Sequence, residues 1–432
     1  MTVACDQERP KPKVRLAAVT SEDRMTRDSW LILIVVCIAW IFDAADGTIF
    51  SLTMPLIREE FHLSQSAIGL IGTMFLAGAT LGSFTLPIIG EKYGRRWGMI
   101  TCVGMYSVFT GAIGLAGSAM TVGIARFLTG IGTGGEWPIG ATYLAEVVPP
   151  KKRGFWMGIM QSGYPLGYFL ASVIFATVAA LGLGWRACYF ALVLPALIII
   201  PVVSRFKESQ TWVDRKNASD ADATKVWRTR EGLSALFATP EDRKATIVAS
   251  VLHITLGVYG WGATIWLPSA LVSDFGATSG QIGSVFIIIY AVATVGYLLS
   301  GWLQDRIGRR WCIIVCLMLG MTAVVGLNVL RWMDAPSMMA VFGLAILLGF
   351  AQSTNTPLIT YTSEIFSSKN RSMGLGFSVA SGKVAAILCP TVMGVIADYS
   401  SVSTALFYST LFGWLAIPVA LWGKETAGKT LA

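Results

Sequence analysis

The sequence predicts an all-α membrane protein with twelve transmembrane helices arranged as two bundles of six. Three observations support this prediction: recurring apolar stretches, a one-sided distribution of basic residues and an internal repeat. The apolar stretches are about 20 residues long, enough to cross a hydrocarbon core of about 30 Å as a helix. Only 13% of the residues are charged, whereas soluble domains carry about 25%.

The hydrophilic stretch 205–244 is the longest interruption between apolar segments, and it separates six predicted spans from six. We interpret it as a linker between two bundles. The predicted segments are a cytoplasmic N-terminal tail at 1–28, an N-terminal bundle at 29–204, a cytoplasmic linker at 205–244, a C-terminal bundle at 245–423 and a cytoplasmic C-terminal tail at 424–432.

The placement of Lys and Arg predicts the orientation. With twelve spans, 28 of the 33 basic residues fall on the side of the two termini, and only Arg58, Arg186 and Arg331 fall on the other side. Basic residues are enriched in cytoplasmic loops, so both termini are expected in the cytoplasm and the chain in the cytoplasmic (inner) membrane. The net charge of +8 therefore reflects topology, and we expect no nucleic acid partner.

The two halves repeat one another in sequence. Gly94-Arg95-Arg96-Trp97 recurs as Gly308-Arg309-Arg310-Trp311, and the pair Tyr143 and Glu146 recurs as Tyr361 and Glu364. Both copies follow even-numbered spans on the predicted cytoplasmic side, so the halves have the same orientation. Parallel repeats of this kind build two bundles with a binding site between them near the membrane midplane.

Two motifs resemble those of the major facilitator superfamily. The segment Gly301-x3-Asp305-Arg306-x-Gly308-Arg309-Arg310 resembles its loop signature, and Arg126-x3-Gly130-x-Gly132-x-Gly134-Gly135-Glu136 resembles its fourth-helix motif. The resemblance covers nearly the whole chain and implies that the ionic signatures control conformational exchange. The residues expected in this gating network are Glu91, Arg95, Arg96, Glu136, Glu146, Arg153, Asp305, Arg309, Arg310, Glu364 and Arg371.

Ionisable residues inside the predicted spans are functional candidates, because each costs at least about 2.5–3.5 kcal/mol to insert. Asp43 and Asp46 in the first span are three residues apart and lie on one helix face. We interpret them, together with Arg126, as the proton-coupling group. The alternative is that one or both carboxylates only neutralise Arg126 in a static pair.

Lys383 is the basic residue expected near mid-depth of the eleventh span. Its Ser-Gly-Lys-Val segment resembles a region of organic-anion and aromatic-acid transporters that contacts the substrate carboxylate. The alternatives are a buried intramolecular pair and a position that lines the cavity without contacting the substrate. The residues expected to bind substrate are Lys383, Arg126, Gln161, Tyr164, Tyr259, Trp261, Gln352 and Asn355, although some aromatic residues of this kind lie at the lipid interface instead.

These features favour proton-coupled uptake of a small organic carboxylate by alternating access, in a protein that resembles the aromatic-acid, organic-anion and lactate/sialate symporters. We expect a monomer that uses the proton gradient and no cofactor or metal. The alternative within the superfamily is a sugar, polyol or organic-cation transporter. An enzyme is not expected, since His62 and His253 are the only histidines and no catalytic cluster is apparent.

Overall fold

The computed structural model describes residues 25–148, 156, 159–160, 162–205, 208–209, 212–213, 234, 236–333, 336–366 and 371–427. The first half contains α1 Arg27–Glu60, α2 Gln65–Tyr93, α3 Arg95–Gly114, α4 Ala119–Val147, α5 Gly163–Ala180 and α6 Arg186–Val203. The second half contains α7 Pro240–Ser273, α8 Ser279–Ile307, α9 Arg309–Arg331, α10a Met338–Ala351, α10b Asn355–Glu364, α11a Arg371–Ile387, α11b Cys389–Tyr399, α12a Val402–Trp414 and α12b Ala416–Trp422.

In the part of the chain that the structure describes, these helices make twelve crossings, as the sequence predicts. Eleven of them are long and apolar enough to span a membrane. The remaining crossing, α4, has 29 residues and carries the charged residues Arg126, Glu136 and Glu146. The predicted linker falls largely outside the described residues.

Polar caps begin several of the helices. Thr26, Ser64 and Thr239 each accept a hydrogen bond from the backbone N–H three residues further on, which satisfies a donor that has no partner within the helix. Gly94 between α2 and α3 and Gly308 between α8 and α9 both have positive φ angles, of 112° and 96°. Glycine tolerates this conformation readily, so both halves turn at equivalent points.

Glycines bring α2 and α4 into backbone contact. A Cβ atom added at Gly78 or Gly82 would collide with the backbone of α4, and one added at Gly130 or Gly134 would collide with the backbone of α2. Small residues allow membrane helices to pack this closely. The packing fixes the rotation of α4 and hence the direction in which its charged side chains point.

The two halves meet on the side of the membrane opposite Gly94 and Gly308, which we call the outer side. Ser51 of α1 donates to the carbonyls of Thr264 and Ile265 of α7 at 2.7 and 3.0 Å, and the hydroxyls of Thr73 and Thr391 are 2.8 Å apart. A buried hydrophobic cluster on this side contains residues of both halves.

Toward the termini, the described residues form separate clusters, one from the first half and one from the second. The halves are therefore in contact at the outer side and separate toward the side on which the chain termini lie. We call the space between them there the gap.

Asp398 forms a hydrogen-bonded latch across the outer seam. Its two carboxylate oxygens accept hydrogen bonds from the backbone N–H groups of Gln65 and Ser66 at 2.7 and 2.9 Å. These groups are at the start of α2 in the other half, where the helix dipole favours a negative charge. The latch therefore stabilises the contact between the two halves and not the packing within either half.

Replacing Asp398 with Ala should open the outer side. Hydrogen bonds to a charged group contribute about 1.5–3 kcal/mol each, so their loss should raise the population that is open outward. Spin labels at Leu115 and Trp332, which are exposed at the outer ends of α3 and α9, should report a longer distance in a background without the native cysteines.

Asp274→Ala is the matched control. Asp274 accepts a 2.7 Å hydrogen bond from the backbone N–H of Ser403 within one half, so its loss should leave the distance between the labels unchanged. An unchanged distribution for Asp398→Ala would contradict the latch.

Candidate functional site

The first half contains a buried ion pair. Arg126 of α4 donates to Asp46 of α1 at 2.7 Å, and both side chains are at most 2% exposed. Thr110 of α3 donates to the other carboxylate oxygen at 2.7 Å. The guanidinium also lies 4.6 and 4.0 Å from the ring centroids of Phe50 and Phe75, within the range of cation–π attraction. Arg126 is therefore held on three sides.

Asp43 lies one turn from Asp46, nearer the termini, and is half-buried. Its charge interacts with that of Lys383, which belongs to α11a in the other half. The Lys383 side chain is exposed although it belongs to a membrane-spanning helix. Exposure combined with coupling to Asp43 indicates that Lys383 faces the gap between the halves.

Aromatic rings form a wall of this gap from one half to the other. The centroid distances are 5.0 Å for Trp40–Tyr164, 4.9 Å for Tyr164–Tyr168 and 4.9 Å for Tyr168–Tyr290. Tyr168 belongs to α5 and Tyr290 to α8, so the row crosses the interface. Rings with polar tips suit a ligand that has a flat or apolar body and a charged group.

The break between α10a and α10b supplies polar groups. Gln352 begins a single 3₁₀ turn that ends at Thr354, and its Nε2 has no hydrogen-bond partner in the described part of the chain. Asn355 is exposed, and its side chain interacts with Tyr297 of α8. Non-helical backbone at membrane depth is tolerated where it lies within protein or lines a wet cavity. Trp261 of α7 is half-buried and packs against the large hydrophobic cluster.

The expectation that Tyr259 lines the gap is wrong. Its side chain is 1% exposed and points into the second half, between Gly320 of α9 and Gly413 of α12a. Helical periodicity puts it on the inward face with Gly262 and Trp266, which are also buried. Gln161, another predicted contact, lies outside the described residues.

Ionic pairs join equivalent positions at the ends of the helices nearer the termini. Arg95 lies 3.2 Å from Glu146 in the first half, and Arg309 lies 3.2 Å from Glu364 in the second. Arg309 also pairs with Asp305. Among the other predicted gating residues, Arg153 and the side chains of Glu91 and Arg371 lie outside the described part.

Two carboxylates that were not predicted from the sequence complete these networks. Glu208 accepts from the backbone N–H of Arg95 at 2.8 Å, and Glu425 accepts from that of Arg309 at 3.0 Å. Each carboxylate caps the helix after the positive-φ glycine, where an added Cβ would collide with it. A sequence signal exists, because Lys-Glu-Ser at 207–209 recurs as Lys-Glu-Thr at 424–426.

The Glu425 cap favours the ionised carboxylate. Burial raises the pKa of Glu425, but hydrogen bonds from four backbone N–H groups together lower it by a larger amount. The pKa therefore lies below its ordinary value. The stabilisation is therefore present above the ordinary Glu pKa and is lost only as the pH falls through this lower value. Arg310 adds a 3.3 Å ion pair to the same carboxylate.

Glu136 does not brace the loop arginines, in contrast to the sequence-based expectation. It is 0% exposed, and neither carboxylate oxygen has a hydrogen-bond partner among the described residues. Its ionisable neighbour is Asp43, whose charge repels a negative charge on Glu136. The structure therefore groups Glu136 with the carboxylates of the membrane interior.

Residues 19–432 match the family described as sugar (and other) transporters. The chain belongs to this family. It is 28% identical over 397 residues to a probable 4-methylmuconolactone transporter of Cupriavidus pinatubonensis, covering 88% of each protein. It is 24% identical over 369 residues to the cis,cis-muconate transport protein of Acinetobacter baylyi, covering 84% of this chain and 87% of that protein.

The fold is similar to that of the xylose transporter XylE of E. coli in a partially occluded inward open conformation. The TM-score is 0.74 at 19% identity, covering 94% of this chain and all of the other. This likeness and the family membership confirm the predicted superfamily fold and the expectation of a transporter rather than an enzyme. The protein is a multi-pass membrane transporter of the major facilitator superfamily.

Removing one member of the Asp46–Arg126 pair should destabilise the protein strongly. Arg126→Met leaves a buried carboxylate unpaired, which costs about 3–5 kcal/mol, whereas replacing both partners with apolar residues is often close to neutral. Thermal unfolding in detergent should show a large fall in the melting temperature for Arg126→Met. The melting temperature should recover in part for Asp46→Leu/Arg126→Met.

The exposed pair Arg186–Glu60 provides the control. Its side chains are 34% and 40% exposed, and exposed pairs contribute about 0–1 kcal/mol, so Arg186→Met should have a small effect. Additive losses in the Asp46/Arg126 double variant would contradict a direct buried pair.

Proposed function

We propose that this transporter takes up a small organic carboxylate together with a proton by alternating access. The observation that carries the proposal is the approach of Lys383 and Asp43 from opposite halves across an aromatic-walled gap. An acidic solute would find a cation and flat apolar surfaces in the same place. The names of the relatives, which include a muconate transport protein, support an organic acid as the solute.

Asp43 and a solute carboxylate compete for the positive charge of Lys383, and this competition can couple solute binding to proton binding. Lys383 makes no ion pair among the described residues, and its charge interacts with Asp43. While Asp43 is ionised, it offsets the positive charge of Lys383 and weakens the attraction for a solute carboxylate. A proton on Asp43 removes that competing charge. Solute and proton therefore favour each other's binding, which is the linkage that symport requires.

Asp43 is the first proton acceptor in this proposal, and Asp46 holds Arg126. Asp43 is half-buried at the gap, so water and solute can reach it. Asp46 is 1% exposed and already accepts from Arg126 and Thr110. Protonation of Asp46 would leave the Arg126 charge without its counterion, which is unfavourable in a buried site.

The predicted orientation indicates which side of the membrane the gap faces. With both termini in the cytoplasm, the closed outer side faces away from the cell and the gap opens inward. This arrangement suits release of solute and proton into the cytoplasm across the inner membrane. One proton offsets the cost of about 2.3 kcal/mol per 100 mV that a single negative charge meets on entering the cell. We propose a monomer as the functional unit.

Asp43→Asn should uncouple transport from the proton. In liposomes with an imposed pH gradient, the wild type should accumulate labelled benzoate, cis,cis-muconate or 4-methylmuconolactone above equilibrium. The variant should lose this accumulation because Asn cannot be ionised, yet it should still exchange internal for external solute. Accumulation at the level of the wild type would exclude Asp43 as the coupling residue.

Lys383→Gln should abolish recognition of the carboxylate. Stabilisation of the purified protein by the same three acids in a thermal shift assay should disappear, because the amide carries no charge to attract an anion. Arg331→Gln, at the outer end of α9, removes a cation outside the gap and should keep the stabilisation. Stabilisation of the wild type by xylose, with no stabilisation by the three acids, would favour a neutral solute instead.

A further inference from the structure

The two halves share a row of exposed side chains that neither the ionic networks nor the proposed solute site uses. In each half the row consists of two large apolar residues followed by a basic residue, four positions apart along one helix. We call each row a surface stripe. The members are Phe84, Ile88 and Lys92 in α2, and Leu298, Trp302 and Arg306 in α8. The second stripe follows the first at the same offset that separates Gly308 from Gly94.

The stripes run along the exposed faces of their helices. The exposed fractions of the apolar members are 63% for Phe84, 61% for Ile88, 74% for Leu298 and 54% for Trp302, and the two basic members are exposed as well. Residues four apart lie on one helix face, so each stripe is about 12 Å long. In a membrane, such a face offers apolar contact to an acyl chain and ends in a cation on the side of the termini.

Neither cation has a carboxylate partner. Among the described residues, Lys92 and Arg306 make no ion pair. Lys92 Nζ lies 5.2 Å from the ring centroid of Tyr93, and the Arg306 guanidinium lies 4.3 Å from that of Trp302. An aromatic ring attracts a cation but leaves N–H donors available for the oxygens of a phosphate, which form charge-assisted hydrogen bonds.

The acids beside Arg306 are already paired. Asp305 and Glu364 both form ion pairs with Arg309, which is buried beneath the surface. The positive charge of Arg306 is therefore directed to the surroundings of the protein rather than to its interior.

An exposed tryptophan recurs beyond each stripe. Trp97 and Trp311 are 50% and 52% exposed, and each comes three residues after a glycine with a positive φ angle, Gly94 or Gly308. Tryptophan is enriched at the level of the lipid headgroups. Side chains this exposed contribute little to packing within a half, so packing does not account for their repetition. A partner shared by the two halves and lying outside the chain does.

Basic residues on the outer side lack such a stripe. Arg331 ends α9, but Leu327 and Ala323, four and eight positions before it, are both 0% exposed. Arg186 is paired with Glu60 at 2.7 Å. The combination of an unpaired cation and an exposed apolar face is therefore found on the side of the termini and not at these outer positions.

We propose that each surface stripe binds an anionic phospholipid from the membrane leaflet nearer the termini. The headgroup phosphate lies against Lys92 or Arg306, and an acyl chain lies along the apolar pair of the same stripe. A negatively charged lipid is favoured because basic residues near a membrane surface attract it. Binding needs neither a solute nor a proton, so it is independent of the proposed symport.

Native mass spectrometry of the detergent-solubilised protein, titrated with phosphatidylglycerol, tests the two sites. The wild type should bind two phosphatidylglycerol molecules more tightly than phosphatidylcholine with the same acyl chains. Lys92→Gln and Arg306→Gln should each weaken one of the two binding steps by about fivefold, the effect of one basic residue near a membrane surface. The double variant should weaken both steps.

Three controls separate the stripes from net charge and from folding. Arg331→Gln removes a cation that has no stripe and should keep both binding steps. The double variant Lys92→Arg/Arg306→Lys keeps both charges and should also keep them. Since the replaced side chains of the stripes are exposed, these variants should unfold at the wild-type temperature when no lipid is added.

Equal affinity for phosphatidylglycerol and phosphatidylcholine would overturn the proposal, as would unchanged phosphatidylglycerol binding by the double Gln variant. An equal loss in Arg331→Gln would show that net charge, and not the stripe, determines binding. Displacement of the bound lipid by glycerol 3-phosphate at the same concentration would show a site for free phosphate esters, which also contradicts a lipid site that uses the apolar pair.

Discussion

Neutralising charge inside the membrane is the constraint on which the rest of this structure depends. Arg126 and Asp46 neutralise one another in an ion pair of 2.7 Å, and the aromatic rings around the guanidinium hold Arg126 in place. Once these two groups are satisfied, Asp43 and Lys383 remain as opposite charges facing the gap from different halves. Their charges can be balanced by each other, by a proton or by an anionic solute, and that choice is what a symporter needs.

The frame around these charges consists of two halves that use the same local contacts. In each half a positive-φ glycine turns the chain and a carboxylate, Glu208 or Glu425, caps the helix that follows. These contacts lie within a half, so they can persist while the halves move relative to one another. The contacts across the outer seam include the Asp398 latch. Motion of two intact bodies about such a seam is the usual basis of alternating access.

Hydropathy and the internal repeat were sufficient to predict the twelve crossings, because span length and repeat orientation are properties of the sequence alone. The direction of individual side chains was less accessible. Tyr259 has the chemistry of a cavity residue, but its helix face turns it toward Gly320. The sequence also left open which carboxylate pairs with Arg126, since two acids three residues apart share one face. The isolation of Glu136 became visible only when its neighbours were in place.

Coupled movement of solute and protons is the central proposal for this protein. It is tested most directly by adding cis,cis-muconate, benzoate or 4-methylmuconolactone to weakly buffered proteoliposomes while the external pH is recorded, with protein-free liposomes correcting for passive entry of the acid. The external pH should rise, in step with solute entry, for an acid that the protein transports. Entry of such an acid through the protein with no accompanying change in external pH would contradict this proposal.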